Sequence, residues 1–382
     1  MKFATKAIHA GQEPDPRTGA VNVPVYLSST FKQDGLGGTR DGFEYARTDN
    51  PTRRALEATL AALENGTHAL AFSSGCAATT AVLNLLQPGD HVVSTIDVYG
   101  GTYRLFHRVF AKYGIAFDCL ATSSADEIVA ATNAKTKLIW LETPTNPLLN
   151  VIDIARVAEG KPKDAILTVD NTFATPCWQT PLDLGADLVA HSMTKYLGGH
   201  SDLVAGALIT RRADLHEPLK FYQNAAGGVP GLLECYLVMR GLKTLEVRME
   251  RHQKNAFVVA EWLARHPQVG RLYFPGLPSH PHHAVAKKQM RGHAGMVSFE
   301  LKGGRAELER FLAALHVFTL AESLGGVESL VCYPFSMTHG SIPAEEKNRI
   351  GITEQLVRLS CGLEDAADLL ADLDHAFAAA RG

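Results

Sequence analysis

The chain has 382 residues, 46% hydrophobic and 20% charged, with a net charge of -3; this globular balance gives two or three domains enough apolar surface for a core. It carries no strongly basic patch, which excludes nucleic acid and membrane surfaces as partners, and no apolar run long enough to span a bilayer. Six cysteines lie apart with no CxxC pair, and the opening MKFATKAIHAGQEP lacks the apolar core of a secretion signal, so a cytoplasmic location with reduced thiols is expected.

Residues 1–45 are rich in turn formers, alternate irregularly (VNVPVYLSSTF) and read as an N-terminal arm. Asn50 as cap and Pro51 at the first helical position then start a helix, with Leu56, Leu60 and Leu63 at helical spacing and Asn65-Gly66 as its stop. Residues 69–73 read as a strand, 75–86 as a helix stopped by Pro88-Gly89, 91–95 as a strand and 103–113 as a helix. Further short apolar runs at 137–142, 166–170, 188–192 and 207–210 predict a mostly parallel, buried sheet. Residues 46–245 are thus expected to form a large α/β domain with its ligand at the carboxyl ends of the strands. A long helix at 245–266, an alternating strand at 296–301 and helices at 305–315 and 365–380 predict a smaller α/β domain over 246–382.

The stretch AILTVDNTFATPCWQTPLDLGADLVAHSMTKYLGGHSDLVAG is the most informative. Asp170 ends an apolar strand, which puts a carboxylate at the mouth of the sheet. Lys195 follows the next strand among hydroxyls and glycines, with no acid beside it, and such a lysine can become a nucleophilic amine. In isolation the two residues read as a turn cap and a surface amine. Together they are what pyridoxal 5′-phosphate (PLP) needs: an amine for the carbonyl and an acid for the ring nitrogen. Ser192, Thr194 and Gly75, which opens a helix after a strand, can hold a phosphate. Tyr99, in DVYGGTYR, can stack on a planar ring, although it also reads as an ordinary packed loop tyrosine.

The segments FEYARTDNPT, VYGGTYR, ETPTNPL, VDNTF, HSMTKYLGGHSD, RGLKTL, ESLGGVESL, MTHGSI and RLSCGLED occur in order along the chain. In them the chain resembles the Cys/Met-metabolism family of PLP enzymes from end to end. The resemblance implies an α/β fold of the aspartate-aminotransferase-like class, PLP fold type I, with a mostly parallel sheet and a smaller C-terminal α/β domain. It implies a homotetramer, a dimer of dimers whose active sites are shared within a dimer. Lys195 is then the Schiff-base lysine, Asp170 the partner of the ring nitrogen, and Tyr99 the residue stacked on the ring. Gly75, Cys76 (through its amide), Ser192 and Thr194 bind the phosphate, with Tyr45 and Arg47 reaching the phosphate of the neighbouring subunit. Arg358 clamps the substrate carboxylate, assisted by Asn146 and Ser323.

For the reaction, the resemblance implies work on small sulfur amino acids. Cystathionine γ-elimination is expected first, then γ-replacement on an O-acylhomoserine, then β-elimination. Lys195 and Tyr99 are the expected catalytic pair. Glu322, before the serine of ESLGG, favours the γ reaction because a carboxylate there can receive the distal ammonium of cystathionine. Gly101 argues against a methionine γ-lyase, in which cysteine is typical. Asp49, Cys76, Cys177-Trp178, Cys332-Tyr333 and Gly340 depart from the family pattern without removing a catalytic group. His280, His282 and His283 in PSHPHH read as a surface turn, and no metal is expected. A scaffold without activity and a nucleotide-binding protein are disfavoured, the first by the presence of Lys195 and Arg358, the second by the lack of GxGxxG and GxxxxGK[ST].

Overall fold

The computed structural model describes residues 1–340 and 342–381, so Ser341 of MTHGSI lies outside the described residues. The larger sheet contains β1 (His68–Phe72), β2 (His91–Thr95), β3 (Ala116–Leu120), β4 (Thr136–Glu142), β5 (Ile166–Asp170), β6 (Leu188–Ser192) and β7 (Gly206–Thr210). Its order is β1-β7-β6-β5-β4-β2-β3. The run from β3 to β6 is parallel, and β7 is antiparallel to both β6 and β1. β2 and β7 are buried along their whole length, as strands are when both faces of a sheet are covered.

The covering layers follow from the sequence pattern. The helix Pro51–Leu63 begins where Asn50 Oδ1 accepts from the Thr52 amide at 2.9 Å. It lays Leu56, Leu60 and Leu63 into one core with Val189, Ala207 and Ile209. On the opposite face, Ala78, Ala81 and Val82 of the helix Gly75–Leu83 pack with Phe72, Trp140 and Leu208.

A second, five-stranded sheet has the order β10-β11-β12-β9-β8. Its strands are β8 (Val269–Tyr273), β9 (Met296–Leu301), β10 (Thr319–Leu320), β11 (Leu330–Cys332) and β12 (Leu356–Ser360). The helices Leu245–Leu263, Arg305–Ala314 and Ala366–Arg381 give it a core around Phe299, Phe311 and Phe377. β12 is central, antiparallel to β9 and β11, and carries Arg358.

Some expectations need correction. The segment expected as one helix over 103–113 is an α-turn Gly100–Arg104, a wider π-helical stretch Leu105–Phe110 and a tight turn Ala111–Tyr113 ended by Gly114 at φ +80. Phe106 and Phe110 both still point into the core. β3 and the helices Ala213–Ala226 and Leu232–Leu242 were not anticipated. Among the described residues no helix is long and apolar enough to cross a membrane.

Candidate active site

A cavity of about 290 Å³ opens where β4, β5 and β6 end. Parallel strands bring these ends together: Glu142 is in register with Asp170, and Asp170 with Ala190, two residues before Ser192. Gly75 and Cys76 enter from a helix start, Tyr99, Asn146, Thr194 and Lys195 from loops, and Glu322, Ser323 and Arg358 from the second sheet and its approach. All the expected site residues thus line one cavity except Tyr45 and Arg47. Those two lie outside it, where Arg47 binds the carbonyl and side chain of Asn224 and stands over the Tyr45 ring at 5.5 Å.

Lys195 Nζ donates to Ser323 Oγ at 2.7 Å. Burial, then the nearby Arg358 charge, brings its pKa down from 10.5 to about 8, while Glu322 acts in the opposite sense. About a tenth of the amine is then free at neutral pH, far more than for an exposed lysine. Ser323 has φ +108, a backbone conformation unfavourable for a residue with a Cβ. It is held there by the lysine and by Arg358 Nη2, which donates to its carbonyl at 2.9 Å.

Arg358 is 2% exposed. A second donor, Nη1, reaches Asn146 Oδ1 at 2.8 Å, and its Nε has no partner among the described residues. Both bonded acceptors are neutral, so among the described residues the buried guanidinium has no counter-charge in direct contact and is prepared for an anion. Glu322 stands exposed on the rim of the same cavity.

The remaining groups fit a phosphorylated, protonated heteroaromatic ring. Ser74 caps its helix by accepting from the Ala77 amide at 3.0 Å, which leaves the first helical amides of Gly75 and Cys76 for an anion. A Cβ on Gly75 would come within 3.1 Å of Ser192 Cβ, so the helix start and the β6 end form one close-fitting cradle. Asp170 accepts from the Thr172 amide at 3.0 Å. Burial pushes its carboxyl up, and the Thr172 hydrogen bonds and His191 oppose this. A cationic ring nitrogen supplies the charge that such a carboxylate needs.

Tyr99 donates its amide to Glu142 Oε2 at 2.8 Å. Burial first, then the Cys76 thiol, raises its phenol, which therefore keeps its proton and can act as a donor. Gly101 has a physical reason: a Cβ there would fall 2.3 Å from the Tyr99 ring. The sequence reading missed Glu142, Thr172 and His191. Glu142 sits inside the quoted ETPTNPL, and its place at a strand end beside Asp170 was the available signal. The histidine turn is structural: His282 Nε2 bonds Ser123 Oγ at 2.9 Å, and His283 Nδ1 bonds the Pro275 carbonyl at 2.9 Å. Among the described residues no three His, Cys, Asp or Glu side chains converge as a metal site.

A type I fold with a half-buried lysine, a strand-end acid and an anion cradle in one cavity defines a PLP-dependent enzyme. The family described as Cys/Met metabolism PLP-dependent enzyme matches residues 4–378. The chain is 56% identical to cystathionine gamma-synthase of Mycobacterium tuberculosis over 375 residues, 98% of this chain and 96% of that one. It is 52% identical to cystathionine gamma-lyase of Dictyostelium discoideum, covering 98% of this chain and 97% of the relative. The crystal structure of cystathionine gamma-lyase from Lactobacillus plantarum, complexed with L-serine, superposes with a TM-score of 0.97 at 46% identity, covering 100% of each chain. The chain belongs to the Cys/Met-metabolism family of PLP-dependent enzymes and uses PLP as its cofactor.

Proposed function

We propose that the protein cleaves cystathionine by γ-elimination and, with uptake of one water, yields cysteine, 2-oxobutanoate and ammonia. The observation that carries this reading is the charge layout of the cavity: the Arg358 cation is buried at its base and the Glu322 anion stands on its rim. A substrate with an amino-acid group at each end meets a complementary charge at both.

PLP supplies a carbonyl for the substrate amine and a ring that accepts electrons from Cα. Lys195 would hold the cofactor and, once freed, its Nζ would take the Cα proton and then serve the loss of a Cβ proton, the step that expels a γ-substituent. Arg358, with Asn146 and Ser323, orients the carboxylate so that the Cα proton faces that amine. Asp170 holds the proton on the ring nitrogen. Tyr99 donates its phenolic proton to the departing sulfur. Gly75, Cys76, Ser192 and Thr194 hold the phosphate, and Tyr45 and Arg47 serve the phosphate of a neighbouring subunit. The last assignment goes with a homotetramer built from dimers with shared sites. Domains over 46–245 and 246–382 behind an arm over 1–45, and a cytoplasmic setting, complete the proposal.

A second reading, γ-replacement of an O-acylhomoserine by cysteine, has its own support in the 56% identity to a relative named as a synthase. Incubation with cystathionine alone, then with an O-acylhomoserine plus cysteine, distinguishes them by product. Release of 2-oxobutanoate from cystathionine supports the lyase. Net cystathionine formation without that release replaces it with the synthase, and pyruvate with homocysteine would mean β-elimination.

A further inference from the structure

Glu142, a carboxyl group with no part in the chemistry above, lies in the cavity. It ends β4 in register with Asp170, on a neighbouring strand about 4.8 Å away. It is 4% exposed. From other elements the Asp170 and Asp97 carboxyls, the Tyr99 amide and the Arg358 guanidinium act on it. Burial and the two carboxyls raise its pKa well above the ordinary range, against the amide and Arg358. Arg358 directs Nη1 and Nη2 at Asn146 and Ser323. Asp170 has a different setting. It receives the Thr172 amide and faces His191, whose Nε2 is bound to Glu64 Oε1 at 2.6 Å with both side chains 1% exposed. Two adjacent carboxyls in unlike surroundings divide one charge unequally.

We propose that Glu142 is a positioning residue that works as a neutral carboxylic acid, holding the Tyr99 amide through Oε2 and leaving Asp170 as the single anion of the pair. Its proton resides on Oε1, because Oε2 accepts the amide. Tyr99 is thereby fixed through its backbone, and the ring-nitrogen partner is spared a like charge one strand away. The proposal rests on PLP use by this cavity and not on the choice of sulfur substrate.

Infrared difference spectroscopy on the full chain, with and without PLP, tests it. At neutral pH the unaltered protein shows the carbonyl stretch of a protonated acid, which shifts when glutamate carboxyls are labelled with carbon-13. Glu142→Gln removes the band. Glu57 is another glutamate whose carboxyl is pushed up by burial, against Lys220 and Arg53, so Glu57→Gln serves as the control and leaves the Glu142 band in place. Glu142→Gln retains the Tyr99 contact through its amide oxygen and keeps PLP affinity within about threefold, whereas Glu142→Ala loses about tenfold. Equal weakening by both variants, or no acid band assignable to Glu142, overturns the proposal. If the Glu142 variants do not fold, the labelled band in Glu57→Gln protein decides: its persistence supports a neutral Glu142 and its absence refutes it.

Discussion

Replacing Arg358 by leucine removes the buried cation while keeping a side chain of moderate volume on the central strand β12. Two of its donors already engage Asn146 and Ser323, and Nε is unpartnered among the described residues. Losing one partner of a buried, hydrogen-bonded charge pair costs about 2–5 kcal/mol. With the substrate carboxylate as the other partner, kcat/KM for cystathionine falls about thirtyfold to about five-thousandfold. An amine analogue that lacks the α-carboxylate separates this from general damage. Its binding to holoenzyme, followed by the absorbance change of the cofactor, changes by less than about threefold in Arg358→Leu. A thermal melt checks that the freed Asn146 and Ser323 have not unfolded the site. An equal loss for amino acid and amine would refute the carboxylate contact and leave Arg358 a structural residue.

Other tests address other groups. Lys195→Met in apoprotein removes an amine whose pKa is lowered from 10.5 to about 8. Below pH 8 the native state bears the cost of burying its charge; as pH rises to 10.5 the native lysine is neutral while the unfolded one remains charged, so the parent gains stability with pH. The variant therefore melts higher than the parent at neutral pH, and its advantage shrinks across that window; a constant difference would refute the assigned charge. Glu322→Ala lowers kcat/KM for cystathionine by about tenfold to a hundredfold and spares homoserine, which has no distal ammonium. Equal losses on both would remove Glu322 as the distal contact. Arg47→Ala and Lys195→Ala chains, each inactive alone, regain activity when mixed into dimers; failure to do so would place each site within one chain.

The parts of the site that local pattern and strand order specify were legible. β5 and β6 have the bounds expected from ILTVD and LVAHS, and their ends place Asp170 and Ser192 beside the loop of Lys195. The Asn50-Pro51 helix start was legible because capping chemistry is local. β3 was not: it is a partly exposed edge strand whose AFDCL interrupts the apolar run with Asp118. The helix Ala213–Ala226 contains Pro218 and has no side-chain cap, so both usual signals are missing. Glu142 was legible as a strand-end acid in ETPTNPL, but its contact was not. Its partner, the Tyr99 amide, is 43 residues away in sequence, and no local pattern announces such a contact.

The contacts that close the site have long spans: 128 residues separate Lys195 from Ser323, and 212 separate Asn146 from Arg358. Bonds of this reach form only when both sheets exist, because loop closure must precede the reward of the contact. During synthesis the lysine and the phosphate cradle leave the ribosome well before β12. An emerging chain can thus carry Asp170, Ser192 and Lys195 while still lacking Arg358. The Asn146–Arg358 and Lys195–Ser323 bonds are thus marks of a finished polypeptide.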